Sequence, residues 1–204
     1  MSQAPEKRGR GRPQTLDRQR TVEIAMASYW CDGVRNVSMN EICRRAGVSK
    51  PGVYREFGNE DGLMEAAVEH YRAIVTGPLL ELLASDLPFA EVLERLLRFM
   101  TEPSGNPAGC LLAEFRSAPG RLGPVTTARV DTITGELRQA YERWFRRAQA
   151  RGEVEMGISP DLATHFIDTQ FTTVLLQMAL GAEPRLVRAQ SELAFTALTR
   201  TARR

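Results

Sequence analysis

Lys50, Tyr54 and Arg55 follow Ser49 within six residues, with Pro51 among them, near enough to share a side of one short helix. A lysine ammonium, a phenol hydrogen and a guanidinium are the groups that pair with phosphate oxygens and guanine edges. Pro51 offers a ring that could lie against a thymine methyl, and Gly52 would let a backbone approach closely. The same three polar residues also read as an ordinary solvated helix face. Upstream, Arg8-Gly9-Arg10-Gly11-Arg12-Pro13 strings three guanidiniums along an extended segment. That spacing suits the electronegative minor groove of A·T-rich DNA, or a tail that only aids solubility. Cys110 is expected at a helix start, where the dipole would lower its pKa and favour thiolate; a small buried core thiol is the competing reading. His165 and Asp168 stand one helical turn apart and could orient one another, but the reading favoured is an ordinary bundle-core or surface pair.

The elements that must position these groups are helical. Apolar residues at Leu16, Val22, Ala25, Met26, Tyr29 and Trp30 recur every three to four positions and stop at Gly33, which predicts a helix over 16–32. Ser38-Met39-Asn40-Glu41 is a capping box that starts a second helix over 39–46. Gly47-Val48-Ser49 then turns the chain into a third helix over 50–57, with Ser49 as cap and Pro51 in the first turn. Two short helices joined by a three-residue turn containing Gly form a helix-turn-helix, whose second helix fits a major groove. Asn59 caps a fourth helix carrying Leu63, Met64, Ala67, Val68, Tyr71, Ile74 and Val75. Further helical segments are predicted over 89–101, 108–117, 125–150, 160–180 and 184–201, and no alternating strand pattern is present. The expected fold is all-α: a three-helix helix-turn-helix domain joined by a fourth helix to a helical bundle. The expected boundaries are a disordered basic arm at 1–14, the helix-turn-helix domain at 15–63 and the bundle at 64–204.

Composition narrows the options. A hydrophobic content of 43% with 25% charged residues is that of a folded globular chain. Three scattered cysteines, Cys31, Cys43 and Cys110, form no CxxC pair, so no disulfide framework or cysteine-rich metal site is expected, and a reducing, cytoplasmic setting fits. No apolar run is long enough to suggest a leader or a membrane span. The net charge is only +2, but residues 1–20 hold six basic residues against two acidic ones, a local +4 that leaves −2 for the rest. A basic arm on a near-neutral body attracts a polyanion locally.

The stretch Val37-Ser38-Met39-Asn40-Glu41-Ile42-Cys43-Arg44-Arg45-Ala46-Gly47-Val48-Ser49-Lys50-Pro51-Gly52-Val53-Tyr54-Arg55-Glu56-Phe57-Gly58-Asn59-Glu60-Asp61-Gly62-Leu63 resembles, almost position by position, the DNA-binding domain of the TetR/AcrR family of bacterial transcriptional regulators. The resemblance covers about 15–63 and implies a DNA-facing set of Ser38, Arg45, Ser49, Lys50, Pro51, Gly52, Tyr54 and Arg55, to which the arm adds Arg8, Arg10 and Arg12. It also implies a homodimer on double-stranded DNA with a palindromic operator, and a C-terminal bundle that binds a small-molecule inducer and dimerises through its last two helices. Two positions depart from the family pattern: Glu56 and Glu60 stand where His and Lys are frequent, and carboxylates there would repel DNA.

Residues 76–204 show no nucleotide loop, no metal-spaced His/Cys cluster and no triad, so neither an enzyme nor a cofactor is expected. Phe99, Cys110, Phe115, Tyr141, Trp144, Phe145, Phe166 and Gln170 are core candidates singly, and collectively suit an apolar pocket with a few polar anchors. Leu186, Val187, Ala189, Leu193, Ala194, Ala197 and Leu198 are expected to form one dimerisation stripe. The function expected is a ligand-released repressor. A thiol sensor through Cys110 and a constitutive DNA binder without a ligand remain as alternatives.

Overall fold

Asp17 opens α1 (Arg18–Asp32) by accepting a hydrogen bond from the Arg20 amide at 3.0 Å, which satisfies one of the free donors of the first turn. In the computed structural model, which describes residues 16–102, 107 and 109–199, this helix buries Val22, Ala25, Met26, Tyr29 and Trp30 as the periodicity predicts. The basic arm, with Arg8, Arg10 and Arg12, lies outside the described residues. Ser38 caps α2 (Met39–Ala46) through the Glu41 amide, and Ser49 caps α3 (Lys50–Phe57) through the Gly52 amide at 3.2 Å. Between them Gly47 takes φ 67°, the left-handed geometry that a side chain would resist, so the turn reverses in three residues. Asn59 caps α4 (Glu60–Tyr71).

Beyond Tyr71 the structure departs from a single long fourth helix. Arg72–Thr76 widens into a π turn, and the chain resumes as α5 (Gly77–Ala84). Pro78 has no amide hydrogen to continue the regular ladder, which explains the change of register there. The remaining helices are α6 (Phe89–Thr101), α7 (Leu111–Arg116), α8 (Pro124–Ala150), α9 (Pro160–Ala179) and α10 (Pro184–Phe195). Helix α10 ends earlier than the expected 201: Val154 and Thr199 pair instead as an isolated bridge.

Two apolar cores result. The first joins α1 to α4 with Leu111, Leu112 and Phe115 of α7 and Val130 and Ile133 of α8. The second joins α5, α6, α9 and α10 with Tyr141, Trp144, Phe145 and Ala148 of α8. Helix α8, about 40 Å long at 1.5 Å per residue, is therefore a spine for both, while Leu79 and Leu137 touch both cores. Packing does not divide at residue 63, because the helix-turn-helix shares its core with α7 and α8.

Candidate nucleic-acid interface and seam cavity

Helix α3 has two sides. Val53 and Gly52 are buried, whereas Lys50, Pro51, Tyr54 and Arg55 are exposed, Tyr54 at 40%. At 100° per residue these four occupy one arc, the face a groove-reading helix must present. The Lys50 ammonium lies 5.6 Å from the centre of the Tyr54 ring, which brings the phosphate-pairing cation and the phenol together. Arg55 makes no ion pair among the described residues.

The remaining sequence-derived contacts fall differently. Gly52, expected to admit a close backbone, is buried, and a Cβ there would meet the Ser49 hydroxyl at 3.1 Å and Leu16 at 3.7 Å; its small size serves packing against the chain before α1. Arg45 is already engaged, donating to Glu41 at 2.7 Å, to Ser28 at 3.1 Å and to Asp32, so it ties α2 to α1. Ser38 and Ser49 are exposed but spend an oxygen on their caps. Hydrogen bonds from Arg44 and then Arg45 hold the Glu41 carboxyl down at about 2, so that Glu41 stays charged and keeps both arginines on α2.

Glu56 and Glu60 do not crowd the reading face. Glu56 lies two residues beyond Tyr54, about 200° around the helix, and pairs with Arg18 of α1 at 3.2 Å. Glu60, at the start of α4, is bound by Arg121, whose guanidinium also donates to the Val37 carbonyl. Both carboxylates are thus neutralised within the chain.

Glu60 belongs to a wider junction between the helix-turn-helix and the bundle. The Asp61 carboxylate accepts from the amides of Val125 and Thr126 at 2.9 and 3.0 Å and from the Thr126 hydroxyl, capping α8 from another helix. Burial pushes the Asp61 carboxyl up, but the Thr126, Val125 and Gly123 hydrogen bonds outweigh it and hold it below its ordinary value. A Cβ on Gly123 would come within 2.3 Å of Asp61, so glycine makes the approach possible. Farther along, Glu69 binds Arg129, Arg72 binds Glu136 at 3.1 Å, and Arg35 donates to the Ser117 carbonyl. None of these long-range pairs is legible from local spacing.

A cavity of about 660 Å³ lies where the two cores meet. Trp30, Tyr71 and Leu112 come from the first core, Tyr141 and Phe171 from the second, and Leu79 and Leu137 from both. A neighbouring hollow of about 180 Å³ shares Trp30, Tyr71 and Met100 and adds Phe99. Of the eight pocket candidates, Phe99, Cys110 and Tyr141 line this space. Phe115 packs edge-on to Tyr29 within the first core, Trp144 stacks on Phe89 in the second, and Phe145 is fully buried beside it. Phe166 packs against Phe195, and Gln170 lies on α9 away from the cavity wall. Sequence reasoning missed Trp30, Tyr71 and Phe171, whose periodicity marks them only as core.

Cys110 stands at the N-cap of α7 with the Tyr71 hydroxyl 3.8 Å from its sulfur. Burial pushes its thiol pKa up and outweighs the stabilising contacts from the Ala113 amide and Tyr71, contrary to the lowering expected from the helix dipole. The first-turn amides of Leu112 and Ala113 favour the thiolate, but desolvation exceeds their effect. Asp168 pairs with Arg138 at 3.2 Å rather than with His165. Tyr141 is kept protonated, first by burial and then by the charge of nearby Asp168.

The expected dimerisation stripe divides. Val187 and Leu198 turn into the second core, while Leu186 and Leu193 are 66% and 71% exposed, and Leu176 of α9 and Leu180 just beyond its end are also exposed. The outward set is spaced seven residues apart on α10, a separation that returns to one helix face.

Residues 22–67 match the family described as bacterial regulatory proteins, tetR family. The HTH-type transcriptional repressor ComR of Escherichia coli (strain K12) is 34% identical over 65 residues, covering 32% of this chain and 31% of that one. The HTH-type transcriptional repressor BdcR of the same strain is 27% identical over 107 residues, 51% of this chain and 54% of its own. These matches span about a third and about half of the length of the curated relatives. The fold extends the likeness: a TetR family transcriptional regulator from Agrobacterium tumefaciens superposes with a TM-score of 0.78 at 17% identity, covering 93% of this chain and 100% of that one. A cysteine mutant of the TetR family transcriptional regulator CifR, complexed with 26-base-pair double-strand operator DNA, superposes with a TM-score of 0.76 at 22% identity, covering 92% and 100%. Over residues 22–67 this chain is therefore similar in sequence to the tetR family of bacterial regulatory proteins, and over most of its length it shares the fold of solved TetR family regulators.

Proposed function

We propose that the protein is a transcriptional repressor that binds a palindromic operator in double-stranded DNA as a homodimer and is released by a small-molecule inducer. The observation that carries this reading is the α3 face, where Lys50, Pro51, Tyr54 and Arg55 are exposed together while Glu56 and Glu60 are paired away from it. Arg8, Arg10 and Arg12 supply further cationic contact in the minor groove beside the operator half-site. The curated relatives are named as repressors, and the CifR neighbour was solved on operator DNA.

Exposed Leu176, Leu180, Leu186 and Leu193 support a dimer through α9 and α10, and two-fold symmetry then requires inverted half-sites. The seam cavity supports a ligand over the constitutive alternative, since a pocket between two cores is where an occupant acts on their relative position. Occupancy would act on α4, which carries Tyr71 in the cavity wall at one end and Glu60 and Asp61 beside α3 at the other. The shift in operator affinity is bounded by the ligand's preference for one of the two states. The raised Cys110 pKa weighs against the thiol-sensor alternative. A DNA-binding protein of this kind works in the cytoplasm, and among the described residues no helix is long and apolar enough to cross a membrane.

The test is a mobility-shift titration against the inverted repeat nearest the coding region. Tyr54→Ala is expected to weaken specific binding by about tenfold. Deleting residues 1–14 lowers the slope of log affinity against log salt by roughly 0.9 for each phosphate that the arm neutralises. Unchanged affinity and slope in both variants would overturn the assignment of these residues to the DNA interface.

A further inference from the structure

The polar groups of the seam cavity are few and unevenly signed. Aromatic pairs stand on two walls: Trp30 packs edge-on to Tyr71 with centroids 4.9 Å apart, and Tyr141 tilts against Phe171 at 5.6 Å. One turn before Phe171, Asp168 brings a carboxylate into the same wall. Glu114 and Arg116 of α7 also line the space, so two carboxylates and one guanidinium face it. Arg138, the partner of Asp168, is not part of the wall; its side chain is 51% exposed against 23% for Asp168, and its contacts are long, 3.2 and 3.3 Å. The tyrosine phenols add no negative charge of their own, since burial holds both Tyr71 and Tyr141 protonated.

Ring faces carry negative electrostatic potential and attract a cation that is weakly hydrated. A carboxylate that is already partly desolvated and loosely paired can exchange its partner for a second cation at little further cost, whereas an anion brought to the same wall would meet two carboxylates against the single guanidinium of Arg116. An apolar ligand without charge would gain the aromatic surface only.

We propose that this cavity takes a hydrophobic organic cation, an amine or quaternary ammonium on an aryl or alkyl body, with Asp168 as its counter-charge and Trp30, Tyr71, Tyr141 and Phe171 around its apolar part. The proposal rests on the reading of the chain as a ligand-released repressor and gives the chemical class of that ligand.

Calorimetric titration of the full chain with three probes of one skeleton tests it: phenylpropyltrimethylammonium, its neutral isostere with carbon in place of nitrogen, and 4-phenylbutyrate. The cation is expected to bind about tenfold tighter than the isostere, and 4-phenylbutyrate the weakest. Asp168→Asn is expected to cut that preference to about threefold or less while leaving the isostere's affinity unchanged. Arg138→Gln frees Asp168 from its internal partner and is expected to tighten cation binding severalfold, an effect that a merely structural Asp168–Arg138 pair would not produce. Binding of the isostere or of 4-phenylbutyrate as tight as the cation, absence of binding by all three, a preference retained in Asp168→Asn, or weakened cation binding in Arg138→Gln would each overturn the proposal. A parallel mobility shift separates the two readings: an Asp168-dependent cation preference that leaves operator occupancy unmoved would uphold the ligand class and overturn the inducer role.

Discussion

The two apolar cores are built by different means. The first is assembled from short helices whose ends are fixed by Asp17, Ser38, Ser49 and Asn59, and it is completed by Leu111, Leu112 and Phe115 borrowed from α7. The second is packed chiefly on α8 and α9, the two longest helices, with Trp144 stacked on Phe89 and Phe171 against Phe195. Local caps orient the reading face of α3, but its supporting core is not local. The difference teaches that the helix-turn-helix is not mechanically independent of the bundle: α7 and α8 are part of its interior, and the cavity sits where their packing meets the second core.

The largest effect should come from the borrowed residue. Phe115→Ala removes a fully buried ring that meets Tyr29 and is expected to cost about 3–5 kcal/mol, read as a fall in thermal midpoint. Because Phe115 completes the first core, amide exchange should accelerate in α1 and α4 as well as in α7. Faster exchange confined to α7 would restore an autonomous helix-turn-helix.

A smaller effect is expected at the junction. Asp61→Ala deprives the first turn of α8 of its acceptor and should destabilise by about 1–2 kcal/mol at neutral pH. Its carboxyl is depressed in the folded chain, so its contribution is present above the unfolded value and lost as pH falls through the folded one. The gap in thermal midpoint between the wild type and this variant should therefore be full at pH 7 and close below about pH 4. A gap independent of pH would mean that the carboxylate charge plays no part.

The smallest effect separates surface charge from architecture. Glu56→Gln breaks an exposed pair with Arg18, and stability should change by less than about 0.5 kcal/mol. Operator affinity should stay within about twofold, since Glu56 lies off the reading arc. A large gain in affinity would place Glu56 against the phosphate backbone.

Much of the reader was legible because its signals are local. Ser38 with Glu41, the Gly47 turn, and Ser49 with Pro51 specify caps and a reversal through contacts within three or four residues, and the observed helices follow them. Burial and pairing were not legible in the same way: Gly52 is covered rather than open, and Arg45, which the resemblance adds to the DNA-facing set, is paired with Glu41 and Asp32. In the bundle, helical period marked Trp144, Phe145 and Tyr141 alike as one apolar turn, yet only Tyr141 reaches the cavity wall. The same limit split the α10 stripe, because a helix with two apolar sides does not say which one its own core will claim.

By itself the sequence determined that the chain is helical, where the helix-turn-helix starts and turns, and which α3 residues share a face, since caps, glycine geometry and a 3.6-residue period act over a few bonds. Only the tertiary structure decided that Glu60 and Asp61 lock onto Arg121 and α8, that Cys110 is a half-buried thiol whose pKa desolvation raises, and that Trp30, Tyr71, Tyr141, Asp168 and Phe171 converge on one cavity. Those outcomes depend on desolvation and on pairs more than sixty residues apart for Asp61 and Thr126, quantities that arise only once the two cores have packed against each other.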